Sequence, residues 1–88
     1  MNKNKYIGDL ISFAKAAGAF QYETNRFVEN GKSGSRNNID ATFNNLEQHQ
    51  YNNILPKLQS TPTNQDLQSI KEIADYEMKA MRMLYNNL

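Results

Sequence analysis

The chain has no cysteine and no tryptophan, only two prolines, and formal charges that almost cancel at +1. Without cysteine, neither a disulfide framework nor a thiolate metal site can supplement a small core. A balance of +1 offers no global field to gather nucleic acid or an anionic membrane. No apolar run approaches the roughly 18 residues that a membrane-spanning helix needs, so no membrane partner is expected. Lys3 and Lys5 do precede an apolar stretch, and Ala17-Gly18-Ala19 imitates a leader cleavage site. Gly8 and Asp9 interrupt that stretch, and it is too amphipathic for a leader core. The expectation is a cytoplasmic protein. With proline confined to positions 56 and 62, long windows are free to form uninterrupted helices.

What fills those windows is a heptad. Tyr6, Phe13, Phe20 and Phe27 recur at every seventh position, with Leu10, Ala17 and Thr24 between them. A 3.5-residue repeat marks one continuous helix docked along another. The spacing predicts helix 1 over 5–29, about 35 Å long. Ile7, Ile11, Ala14, Gly18 and Val28 fill an adjoining stripe, which together with the seam makes one wide apolar face. Asn30-Gly31 ends the helix with glycine in the usual capping place.

Helix 2 is predicted over 38–55, starting at Asn37 or Asn38 as N-cap, with Asp40 in its first turn. Ile39, Phe43, Leu46, Ile54 and Leu58 share a face that Gln50 interrupts, and Pro56 ends or kinks the helix near Ile54. Helix 3 is predicted over 63–86, with Thr63 and Asp66 as a capping-box-like pair. Its inner side reads Leu67, Ile70, Ile73, Ala74, Met78, Met81, Leu84, Tyr85 and Leu88, and Met83 falls outside it. Short turns between three such segments imply an all-α three-helix bundle, residues 1–88 forming one domain. A chain of 88 residues buries only about 60–65% of its unfolded surface. A 35 Å helix is long for such a monomer, so a homodimer is a second expectation.

Chemistry is sparse. His49 is the only histidine, with no Glu-x-x-His or His-x-x-x-His spacing around it, so neither a metal nor a triad is expected. Asp66, Glu72, Asp75 and Glu77 alternate with Lys71 and Lys79, which reads as a solvated face with Asp75 and Lys79 paired at i,i+4. Gly31-Lys32-Ser33 imitates the end of a phosphate loop, but Arg26 stands where that loop needs glycine. No cofactor is expected, and no enzyme, because no acid, base, nucleophile or ligand set converges.

The remaining surface chemistry is that of contact. Arg26, Lys32, Ser33 and Arg36 cluster around one glycine-containing loop, where cations and free amides suit an anion or an acidic protein surface. Tyr22 and Tyr51 are candidate exposed aromatics, and aromatic and arginine side chains dominate binding hot spots. The primary expectation is a small binding protein with a protein partner: an inhibitor, a regulator or an accessory protein of a phage or other mobile element. A self-assembling helical subunit is a further alternative.

Residues 13–28 carry a different pattern: Ala14, Gly18, β-branched Thr24, then Phe27 and Val28. This segment resembles the helix-turn-helix of the lac repressor family. The resemblance implies a DNA-binding regulator with a turn at Gly18, Gln21, Tyr22 and Asn25 in the major groove, and Arg26 on a phosphate. The heptad demands the opposite, an unbroken helix that buries Phe20. The two expectations part at that residue.

Overall fold

A computed structural model describes residues 3–88 as three helical rods. The first is α1 (Ile7–Glu29). The second is compound: α2 (Asn37–His49), a π-helical segment (Gln50–Ile54) and α3 (Leu55–Ser60) follow without a break. The third is α4 (Gln65–Asn86). There is no strand among the described residues. The rods run up, down and up, so α1 and α4 are parallel. Asn4 Nδ2 donates to the Asp66 carbonyl at one end, and Phe20 meets Tyr85 towards the other.

The seam is where the heptad places it. Phe13, Ala17, Phe20 and Thr24 are buried, and Tyr6, Leu10 and Phe27 pack partly buried at the margin. α1 passes through Gly18 without a turn, and Phe20 has no exposed surface. The helix-turn-helix geometry at residues 13–28 is therefore absent: burial of Phe20, about 2–3 kcal/mol, outweighs the roughly 1 kcal/mol that one helical glycine costs. Phe20 sits 5.3 Å from Phe43 and 6.2 Å from Tyr85, whose rings stack on each other at 4.3 Å. This trio ties the three rods together, and such aromatic pairs contribute about 0.5–1.5 kcal/mol each beyond their area. Thr24 is tolerated in the core because its hydroxyl donates to the Gln21 carbonyl at 2.9 Å.

The wide apolar face is not one face. Ala16 joins the core, while Ile7, Ile11 and Val28 are about half exposed and Ala14 and Gly18 are exposed too. On α4, Ile73 belongs outside with Met83, whereas Met78 and Met81 are buried.

Helix ends differ from expectation by a residue or two for local reasons. α1 begins at Ile7 rather than residue 5, because the Asn4 side chain accepts the Tyr6 amide and holds a turn there. At the other end the Lys32 amide donates to Phe27 and the Gly31 amide to Val28. That pair of bonds is a Schellman cap, and Gly31 supplies its left-handed residue at φ 70. α2 starts after Arg36, with Ser35 Oγ accepting the Asn37 amide in place of an asparagine cap. α4 is capped by Asn64, which accepts the Leu67 amide, and not by Thr63 with Asp66.

Pro56 does not end the second rod. Upstream of it the Leu55 amide reaches back to the Gln50 carbonyl, a wide i→i+5 turn. Pro56 then falls in the first turn of α3, where a missing amide hydrogen costs little. The wide turn absorbs one residue. Without it, Leu58 would rotate roughly 100° off the stripe of Ile39, Phe43 and Leu46. With it, Ile54 is fully buried and Leu58 stays partly covered.

Candidate functional site

Two concavities carry the polar chemistry. The first lies at the loop end, about 220 Å³ in volume, with Arg26, Phe27, Ser33, Ser35 and Asn38 among its walls. Arg26 also reaches over the Tyr22 ring at 5.7 Å. Glu23 shares the hollow and lies 4.0 Å from the Arg26 guanidinium. The Ser33 hydroxyl is committed to the Asn30 carbonyl at 2.6 Å. Lys32 is exposed, with its backbone in the left-handed region. Arg36 turns away from this hollow and lies over the rings of Phe27 and Tyr85. The loop thus gathers Tyr22, Arg26 and Ser33, sends Arg36 against the core aromatics, and leaves Tyr51 elsewhere.

Tyr51 lines the larger concavity, a groove of about 590 Å³ between the π-helical segment and α4. Its apolar walls come from Tyr51, Leu55, Met78 and Met83, and its polar ones include Lys71, Asp75, Lys79 and Arg82. Gln50 is only 6% exposed. Its amide donates to one oxygen of Asp75 while Lys71 donates to the other. A buried polar side chain needs such a partner, so the residue that interrupts the apolar stripe of α2 fixes the wall of the groove. Asp75 pairs with Lys71 and not with Lys79, a correction to the expected charge pattern. Lys79 consequently has no carboxylate within ion-pair distance among the described residues.

Arg82 Nη2 donates to Glu47 at 3.2 Å. Burial works against its charge, but the hydrogen bond to Glu47 and the influence of the Tyr51 hydroxyl outweigh that and push its pKa up. Arg82 and Tyr51 line the same groove. π-helical turns recur at functional sites because they re-aim side chains. Here the wide turn begins at the two residues, Gln50 and Tyr51, that the groove uses. Gln50, Lys71, Lys79 and Arg82 were not among the candidates that the sequence suggested. The one local signal was a polar residue breaking an apolar stripe a turn and a half before a proline.

His49 lies among the amides of Asn45, Gln48, Asn52 and Asn53, its Nδ1 3.3 Å from the Asn53 amide. No group of three or more acidic, histidine or cysteine side chains is placed to hold a metal among the described residues. No described helix is long and apolar enough to cross a membrane.

The other ionisable group held by its surroundings is Tyr85. Its hydroxyl donates to Asp40 at 2.7 Å, and that bond, then burial, raises its pKa above the ordinary 10.0. The folded state therefore favours the protonated phenol. The resulting stability is fully present below the unfolded value and is lost as pH rises through the raised folded value. Urea titrations from neutral to strongly alkaline pH are expected to show this loss in the natural chain. Tyr85→Phe should remove the step above pH ~10.

No family model, curated protein or solved structure matches the chain.

Proposed function

We propose that this is a non-enzymatic helical binding protein that acts by stoichiometric contact with a protein partner through the groove between the π-helical segment and α4. The observation that carries the reading is the groove's composition. Tyr51 and Met83 are half or more exposed beside Lys79, whose charge is unpaired among the described residues. Flexible thioethers and an aromatic ring suit an adaptable apolar contact. An unpaired lysine with Arg82 close by favours a partner surface that carries carboxylates.

The test is capture of the partner by tagged protein. Tyr51→Asp and Lys79→Glu should each abolish capture of a partner that the natural chain binds at one to one. Circular dichroism should be unchanged, since both side chains are solvent-facing. Replacing Arg26, Lys32 and Arg36 together by alanine should leave that capture intact. The reverse pattern would move the contact to the loop end, where Arg26 and Tyr22 form the competing patch.

A further inference from the structure

The second rod covers one side of the α1–α4 pair, and the other side is bare. At about 100° per residue, rotation around α1 passes from Asp9 and Phe20, which meet the second rod, to Gln21, whose Nε2 touches Met81 Sδ at 3.5 Å. It then reaches Gly18, Ala14 and Ile11. Rotation around α4 in the opposite sense passes from Asp75 and Arg82, which meet the second rod, through Met81 on the same seam. It then reaches Ile73 and Tyr76. Because α1 and α4 are parallel, both strips open away from α2.

Each strip is a helix-docking pattern with no helix on it. On α1, Ile7, Ile11, Ala14 and Gly18 are spaced four, three and four apart. On α4, Ile73, Tyr76, Ala80 and Met83 are spaced three, four and three apart. A 3.5-residue period keeps an apolar strip turned towards one neighbour for several turns. Ile11 is 50% exposed, Ile73 51% and Tyr76 81%.

We infer that this face is closed by a second copy of the chain, in a dimer about a twofold axis. The exposed area supports it: the chain shows 5908 Å², whereas its 10.1 kDa corresponds to about 5,300 Å² for a monomer. The excess, about 600 Å², matches in size what one partner would contribute to an interface near the lower bound of stable ones. Shape supports it as well. Nothing stands within 4 Å of where a Cβ on Gly18 would lie, and Tyr76, Lys79, Ala80 and Met83 surround a shallow hollow of about 260 Å³. A self-complementary face needs hollows as well as projections, and here each strip carries both: Ile7 and Ile11 stand before Ala14 and Gly18 on α1, and Ile73, Tyr76 and Met83 surround Ala80 on α4. Charge agrees. The α1 strip is flanked by Lys15 and the α4 strip by Glu72, Glu77 and Lys79, both signs together, which a copy can match. A strongly acidic or basic partner would gain nothing from such a face.

The test is sedimentation of the full chain from about 1 to 500 µM, the range in which an interface of this size associates. The natural chain is expected to reach twice 10.1 kDa. Ile11→Glu and Ile73→Lys should each raise the dimer dissociation constant at least about 100-fold, with helical circular dichroism retained. Gly18→Gln, which improves helix propensity while obstructing close approach, should do the same and guards against a variant that unfolds. Tyr51→Asp, in the groove, should leave the dimer intact. A 10.1 kDa species at every concentration overturns the proposal, and so does a dimer that survives all three face variants. Either result leaves the groove reading standing, because Lys79 and Met83 border both surfaces but Tyr51, on the second rod, lies in the groove alone.

Discussion

Phe20→Ala is expected to lower the free energy of unfolding by about 3–5 kcal/mol, the range for truncating a fully buried phenylalanine. The side chain has no exposed surface and touches aromatic partners on both other rods. Removing it leaves a cavity at a place where all three meet. A chain of 88 residues has a total stability on the order of 4–13 kcal/mol, so the variant should sit near the edge of folding at room temperature. Phe20→Leu, which keeps most of the volume, should lose less than about 1.5–2 kcal/mol. Guanidinium unfolding followed by circular dichroism measures both. A loss below about 1 kcal/mol for the alanine variant would mean that Phe20 is not enclosed, and the heptad would then lose its structural meaning.

Deleting Asn52 alone should cost about 3 kcal/mol, and deleting it together with Pro56→Ala should recover most of that loss. The wide turn at Gln50–Ile54 holds one residue more than an α-helical turn. Taking that residue out restores the regular ladder, and the stripe from Ile39 through Leu46 then continues onto Ile54 and Leu58 at ordinary helical spacing. The ladder now has to pass through the proline, whose ring meets the carbonyl four residues back. Alanine at 56 relieves the clash. Thermal melts of the two deletion variants against the natural chain read the difference. Equal losses with and without Pro56→Ala would show that the wide turn does not exist to accommodate the proline.

Those two experiments also mark where the sequence was readable and where it was not. The Phe20 seam was legible because its period is the cause of its geometry: residues spaced by 3.5 can meet a partner helix in only one way. The wide turn was not. Pro56 announced that a regular ladder could not pass, but whether the chain would stop, kink or widen upstream depends on what Ile54 and Leu58 gain by staying over the core. Helix starts slipped by a residue or two because Ser35, Asn37, Thr63 and Asn64 can all accept an amide, and packing chooses among them. The exposed strip through Ile7, Ile11 and Gly18 was visible as apolar, yet periodicity says that a face suits a neighbour without saying which one. The groove was hidden for a different reason. Tyr51 and Arg82 come from separate rods, and Lys71 takes the carboxylate that Lys79 was expected to hold.

An odd number of rods has a topological consequence. Asn4 lies beside Asp66, at the start of α4, and Leu88 follows its end. Residues 4 and 88 are therefore separated by about the 33 Å length of a 22-residue helix. A circular permutant would need a joining segment of roughly 10 residues or more merely to span the molecule. Tension applied between those two positions would slide the rods past one another along their axes, loading the aromatic trio all at once instead of peeling helices away in turn.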